Sequence, residues 1–227
     1  GRVLGDAGLG VDRLEGAGLG IPGVVGRDHS TIRDAVHLGI DAFDVGAAVG
    51  ERLGVRVLVE NDVNAAVLGA RHLLGDDSAA FAYLGLGTGI AAGLLLDGAV
   101  WRGTTGVAGE IGHVPVPEAR GVCRCGQTGC LETVAAGWAL AERWDEPWPA
   151  ARMLEAARTG SEPAAAEWDR LVDALAHAVR MLVLTVDVGT IAIGGGMRGI
   201  GAPLLDGIRG RLAAWSLASP FVAALAI

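Results

Sequence analysis

The chain has 227 residues, 51% hydrophobic and 19% charged, enough to bury a core without disulfide staples and unlike the composition of a disordered chain. Its 18 basic against 26 acidic residues give a net charge of −8, which disfavours a dedicated nucleic-acid binder, because neutralising phosphates takes a basic face. All 18 of the basic residues are arginine, so any mechanism that needs a lysine, a Walker-type phosphate loop included, is excluded.

Residues 16–25 are apolar and Gly-rich and read as a buried strand running into a tight turn. Helical spacing over Val45–Leu53 precedes a strand at 55–59, and 63–74 then reads as a helix capped by Asn61 or Asp62. A polar turn at 75–78 separates two apolar blocks. Ala80–Leu86, the turn Gly87-Thr88-Gly89 and Ile90–Leu96 form a predicted hairpin, with a second turn at Asp97-Gly98. A Gly/Thr-rich connection over 101–112 leads to a cysteine loop. Helices are expected over 139–144, 150–159 and 163–184, a final strand over 186–193, and a last helix opened by Gly194-Gly195-Gly196. The uncharged stretch 212–227 is shorter than the roughly 20 apolar residues of a membrane span and reads as a buried helix and turn. Strands alternating with helices, with glycines at strand ends, indicate an α/β fold with ligand loops at one sheet edge.

The cysteine loop is the most specific chemical signal. Ten residues after His113 comes Cys123-Arg124-Cys125-Gly126-Gln127-Thr128-Gly129-Cys130-Leu131-Glu132. Three thiolates and an imidazole are the ligand set of a closed tetrahedral zinc site, and Gly126 and Gly129 let the loop fold tightly enough to converge the sulfurs. Arg120 and Arg124 flank the site and are expected to offset its net negative charge. The bland alternative is three unrelated reduced cysteines. Either way, three thiols in one short loop make a poor disulfide framework, and with no targeting segment recognisable the expected compartment is a reducing cytoplasm.

Asp62 sits where a strand enters a helix, the place where open α/β sheets put catalytic groups, although a helix cap alone would also explain it. Glu60, Asn61 and Asn64 crowd the same turn with more polar chemistry than a cap requires. Gly85-Leu86-Gly87-Thr88-Gly89 and Gly194-Gly195-Gly196 could let backbone N–H groups approach a phosphate or a base, while a hairpin turn needs glycine for positive φ regardless of ligand. Trp138, Trp144, Trp148 and Trp168 lie in Ala-rich helical contexts and read as packing residues.

The motifs Gly20-Ile-Pro-Gly23, Val59-Glu-Asn-Asp-Val-Asn-Ala-Ala66, Leu86-Gly-Thr-Gly-Ile90, Gly109-Glu-Ile-Gly-His113, the cysteine loop and Ile193-Gly-Gly-Gly196 occur in one order that resembles the ROK family of bacterial sugar kinases and sugar-responsive repressors. The resemblance implies an actin-like ATPase (ribonuclease H-like) two-lobed α/β fold with its N-terminal lobe incomplete, residues 1–75 forming the small lobe and 76–227 the large one, and sugar in the cleft between them. It makes Asp62 the general base toward a sugar hydroxyl and gives Asn61, Glu110, His113 and Glu132 the other hydroxyls. Gly23 falls on the sugar-side loop, and His37 near the sugar-side strand. Gly87, Thr88 and Gly89 match the phosphate-contacting hairpin and Gly194, Gly195 and Gly196 the adenosine side, with ATP and Mg²⁺ as the cofactors of a kinase. His113, Cys123, Cys125 and Cys130 become the structural zinc ligands, the expected assembly is a homodimer with no membrane contact, and the acceptor is a hexose or N-acetylhexosamine. DNA is a partner only through a helix-turn-helix outside this chain. Two departures stand out: no Asp-x-Gly-x-Thr motif precedes Gly20, and the chain stops before the family's closing helix, so a main anchor for the ATP phosphates and Mg²⁺ is missing and no activity is expected from these residues alone. Asp187-Val-Gly189-Thr190 matches that motif literally, but its register is that of the strand before the adenosine-side glycines.

Overall fold

The computed structural model describes residues 6, 8, 10–35, 38–144 and 149–223; His37 and Trp148 lie outside them. Near the N-terminus, β1 (Ala17–Ile21) pairs in parallel with β5 (Val57–Asn61), in a register that sets Ile21 opposite Asn61. Between them, β2 (Val24–Val25), β3 (Thr31–Ala35) and β4 (Ile40–Asp44) form an antiparallel sheet, and α1 (Val45–Leu53) follows, capped by the Asp44 carboxylate. Val25, Ile32, Ala35, Val57 and Val59 make the core of this part. Strand β1 is only half covered, every second residue being open to solvent, so the expectation of a fully buried strand is corrected to an alternating one.

The two-stranded and three-stranded sheets share that core and are taken together as the first sheet; the second, four-stranded, has the order β8-β7-β6-β9. The hairpin β6 (Ala80–Leu86) and β7 (Ile90–Leu96) falls where its turn glycines place it, β8 (Ala99–Val100) extends one edge, and β9 (Thr190–Gly194) pairs in parallel with β6 on the other. One face packs on α3 (Glu132–Ala135), α4 (Gly137–Arg143), α5 (Pro149–Arg158) and the long α6 (Glu162–Val186), with Leu84, Leu86, Leu131, Leu171 and Leu175 at the centre. Trp138 is buried there, and Trp144 and Trp168 pack against it.

Helix α6 runs to Val186 and ends at Asp187 in the left-handed conformation, so the strand expected from 186 starts only at Thr190. The β-branched residues near its end stay helical because Leu171, Leu175, Val179 and Leu182 form one buried stripe at helical spacing. After β9, a 3₁₀ turn (Gly196–Ile200) leads to α7 (Ala202–Ala218) and the short α8 (Pro220–Ala223). Helix α7 buries Leu204, Ile208 and Leu212, while Leu217 is 92% and Phe221 68% exposed, so of the stretch expected to be buried from 212 on, the described part after Leu212 (213–223) lies at the surface, and 224–227 lie outside the described residues. None of the described helices is long and apolar enough to cross a membrane.

Helix α2 (Asp62–Leu74) belongs to both parts. Its first residue continues β5, but Val67 packs with Phe81 and Leu95 of the second sheet. Gly93 makes this possible, since a Cβ there would lie 2.6 Å from the Val63 carbonyl oxygen and 2.8 Å from the Val67 Cβ.

Candidate active site

The β5–α2 junction is held by four side chains, those of Glu60, Asn61, Asn64 and Arg102. Asn61 is the cap: its Oδ1 accepts from the Val63 and Asn64 backbone N–H groups at 2.9 and 3.1 Å, and its Nδ2 donates to the Gly23 carbonyl at 3.1 Å. The cap thereby ties the Gly23 loop to the start of α2. Glu60 accepts at Oε1 from the Asn61 N–H (2.9 Å) and the Asn64 amide (3.3 Å), while its Oε2 is paired with Arg102. Burial pushes the Glu60 carboxyl up, but the bond from Arg102, the Asn61 N–H and the Arg102 charge outweigh it and hold the group below its ordinary value. Asp62 is exposed, and among the described residues its carboxylate accepts only from the adjacent Val63 N–H, at 3.0 Å.

Glu110 lies across from this turn. Gly109 sets it there: with φ of 93°, and with a Cβ that would sit 1.8 Å from the Ala92 oxygen, only glycine fits, and the Gly109 carbonyl accepts from Ala92 N at 2.7 Å. Solvent reaches the Glu110 side chain, yet the surrounding protein withholds enough hydration to raise its carboxyl; His113 opposes the rise, and Glu132 and Asp62 add to it. The four groups share one electrostatic neighbourhood. Glu132 is 6% exposed, and both its oxygens are occupied, Oε1 by the Ile90 N–H at 2.7 Å and Oε2 by the Trp138 indole N–H at 3.2 Å.

His113, Cys123, Cys125 and Cys130 offer ligand atoms that all lie within 4.8 Å of one another. The Cys125 and Cys130 sulfurs are 3.7 Å apart, and Cys123 Sγ is 3.7 Å from His113 Nδ1. A tetrahedron with Zn–S bonds near 2.3 Å has edges of about 3.8 Å, so the four atoms fit a zinc ion. Gly126 and Gly129 both adopt positive φ, and bridges from Pro115 to Cys130 and from Val122 to Thr128 close the loop. Burial pushes the Cys130 thiol up to about 12 and raises Cys123, whereas hydrogen bonding from the Gln127 backbone lowers Cys125 to about 7. Metal binding would therefore release protons. The flanking arginines are engaged elsewhere: Arg120 donates to the Pro117 and Ala119 carbonyls, and Arg124 pairs with Glu142 and stacks on Trp138.

Gly87 and Thr88 line a cavity of about 660 Å³ together with Gly137, Trp138, Gly196 and Met197. That size suits a small organic ligand. The hairpin is pinned at its mouth, because the Gly87 and Thr88 carbonyls accept from the Gly137 and Trp138 N–H groups at 2.9 and 3.2 Å. Gly89 packs against the Glu132 carboxylate, and Gly195 (φ 87°) turns β9 toward the cavity after the buried Gly194. Asp187, the first residue of the literal Asp-x-Gly-x-Thr match, is the C-cap of α6 and not part of this cavity's lining.

Two groups of polar residues escaped the sequence reading. Arg102 reaches Glu60 across 42 positions, a pairing that no local pattern signals. Glu118, His177 and Arg180 form a second cluster, with His177 Nε2 3.2 Å from Glu118 Oε1, its Nδ1 2.9 Å from Arg180, and the imidazole and the guanidinium both against Trp215.

The profile of the ROK family matches residues 9–223. A glucokinase of Halalkalibacterium halodurans is 33% identical over 224 residues, covering 90% of this chain and 68% of that enzyme. Among solved structures, a ROK family glucokinase from Streptomyces griseus, in complex with glucose and AMPPNP, superposes with a TM-score of 0.75 at 27% identity over 94% of this chain and 76% of its own. A ROK family transcriptional regulator, a homologue of the E. coli MLC protein, gives 0.74 at 25% identity over 92% of this chain and 57% of its own. The mixed α/β architecture is the actin-like ATPase fold. The chain belongs to the ROK family.

Proposed function

We propose that the chain forms the core of a sugar kinase, moving the γ-phosphoryl group of ATP to a hydroxyl of a hexose or N-acetylhexosamine. The observation that carries this reading is the meeting of an unencumbered carboxylate, Asp62 at the start of α2, with Glu110, His113 and Glu132. The glycine-lined cavity beside the Gly87–Gly89 hairpin supplies a place for the nucleotide. Asp62 then takes the proton from the attacking hydroxyl, while Glu110, His113 and the Asn61–Gly23 pair orient the sugar. Positioning and charge stabilisation supply most of phosphoryl-transfer catalysis, so one well-placed base suffices.

Bound zinc would supply no chemistry of its own; it would fix the loop so that His113, turned to the thiols by Nδ1, presents Nε2 to the sugar. Gly194, Gly195 and Gly196 would face adenosine, and Mg²⁺ would accompany the phosphates. In this reading 1–75 is the sugar-side lobe and 76–227 the nucleotide-side lobe, in accord with the separate cores of the two sheets. The likeness to a transcriptional regulator favours a second reading, a sugar sensor without turnover.

The test is sugar-dependent ADP release by the zinc-loaded full-length gene product, the parent protein, across hexoses and N-acetylhexosamines. Asp62→Asn is expected to lower kcat by about 10²- to 10⁴-fold while sugar affinity holds. Unaltered turnover in that variant removes the base assignment, and sugar binding with no turnover by the parent protein replaces the kinase by the sensor.

A further inference from the structure

Arg102 leaves the end of the second sheet, just after β8, and crosses to the strand that delivers Asp62. Its Nη1 donates to the Val100 carbonyl at 3.2 Å, and Nη2 pairs with Glu60 Oε2. Its Nε is buried without an acceptor among the described residues, so the guanidinium's hold rests on these two nitrogens. Glu60 in turn holds the Asn61 N–H and the buried Asn64 amide, one residue either side of Asp62 and its neighbour Val63.

The rest of the same loop lies on the first sheet as well. Arg33 of β3 donates to the Thr105 carbonyl at 2.7 Å, and Gly106 lies so close to Val24 that a Cβ would be 2.7 Å from its side chain. The loop that ends at Glu110 and His113 is thus a strap between the two sheets, and Arg102–Glu60 is its charged anchor behind the Asp62 turn. Only 17% of the Glu60 side chain is exposed, and among the described residues its Oε2 faces the Arg102 guanidinium, with His29 Nδ1 farther off at 3.8 Å.

We propose that Arg102 is a positioning residue for phosphoryl transfer: by clasping Glu60 from the opposite sheet it sets the Asn61–Asn64 turn, and with it the Asp62 carboxylate, relative to Glu110 and His113. This rests on the kinase reading for its catalytic consequence, but the ordering of the turn is measurable without turnover.

The experiment compares the parent protein with Arg102→Gln, Arg102→Lys, Glu60→Gln and the double variant Arg102→Gln/Glu60→Gln. Arg102→Gln is expected to speed hydrogen exchange of the Asn61 amide by about ten-fold while amides of α6 stay protected. It should also lower kcat by about ten- to a hundred-fold with the KM for ATP nearly unchanged. Arg102→Lys keeps the charge and recovers part of both, which also guards against a variant that merely fails to fold. In the Glu60→Gln background the Arg102 change should add little, because the two act as a unit. Unchanged Asn61 exchange, or additive effects of the two substitutions, overturns the clasp. A parent protein that transfers no phosphoryl group refutes the kinase reading instead, and the exchange data still decide the clasp.

Discussion

Glu132 joins the hairpin that borders the cavity to the loop that carries the cysteines, and its removal should be felt as stability. Its two carboxylate oxygens accept from the Ile90 N–H and the Trp138 indole N–H inside the protein. Hydrogen bonds to a charged acceptor each contribute about 1.5–3 kcal/mol. Glu132→Ala strands both donors and should cost about 4 kcal/mol. In Glu132→Gln the amide oxygen can still serve Ile90, but its NH₂ then faces the indole N–H, donor against donor, so one bond is lost and the cost is about 2 kcal/mol. Urea unfolding followed by tryptophan fluorescence reads this directly. With a slope of about 2–3 kcal/mol per M, the alanine variant should shift its midpoint by 1–2 M and the glutamine variant by about half as much. If both variants unfold within about 0.5 kcal/mol of the parent protein, or equally, the carboxylate does not hold the hairpin by these two bonds.

Three other outcomes follow from the geometry. Cys125→Ser should lower bound zinc, measured by elemental analysis, and weaken glucose binding in calorimetry; retained sugar affinity after metal loss would separate the loop from the pocket. Arg143 donates at 2.6 Å to the carbonyls of both Thr133 and Val134, satisfying the short helix α3, so Arg143→Met should cost about 2–3 kcal/mol in the same unfolding assay. Glu60 has a depressed carboxyl in the folded state, so its contribution to stability is complete above the ordinary value of 4.5 and is lost as the pH falls below it. Glu60→Gln should therefore flatten the acid limb of the stability–pH curve while leaving its shape near neutral pH unaltered, as thermal melts from about pH 3 to 7 would show.

Local chemistry decided what could be read from the residues. The β5–α2 junction was legible because a polar Asn-Asp pair interrupts two apolar patterns, and Asn61 is indeed the cap. The hairpin announced itself through Gly87 and Gly89, and the cysteine loop through ligand types that have few other reasons to cluster. Strands β3 and β4 were not foreseen: Thr31-Ile-Arg-Asp-Ala35 and Ile40-Asp-Ala-Phe-Asp44 carry charges at exposed positions and are strands because their neighbours pair with them. Pattern reading also overestimated burial after Leu212, since an uncharged sequence need not be a covered one. Of the candidate site, Asn61, Asp62, Glu110, His113 and Glu132 were named from motifs. Arg102, which holds Glu60 from a distant segment, lay beyond any periodicity.

The seating of α2 on the second sheet has a thermodynamic consequence. The helix takes its cap from a strand of one core and buries Val67 in the other, with Gly93 removing the gap between them. Neither core can lose its order without stripping that helix of either its cap or its floor. The two halves are therefore coupled through thirteen residues, and they should unfold in one cooperative transition in which Asp62 reports on both.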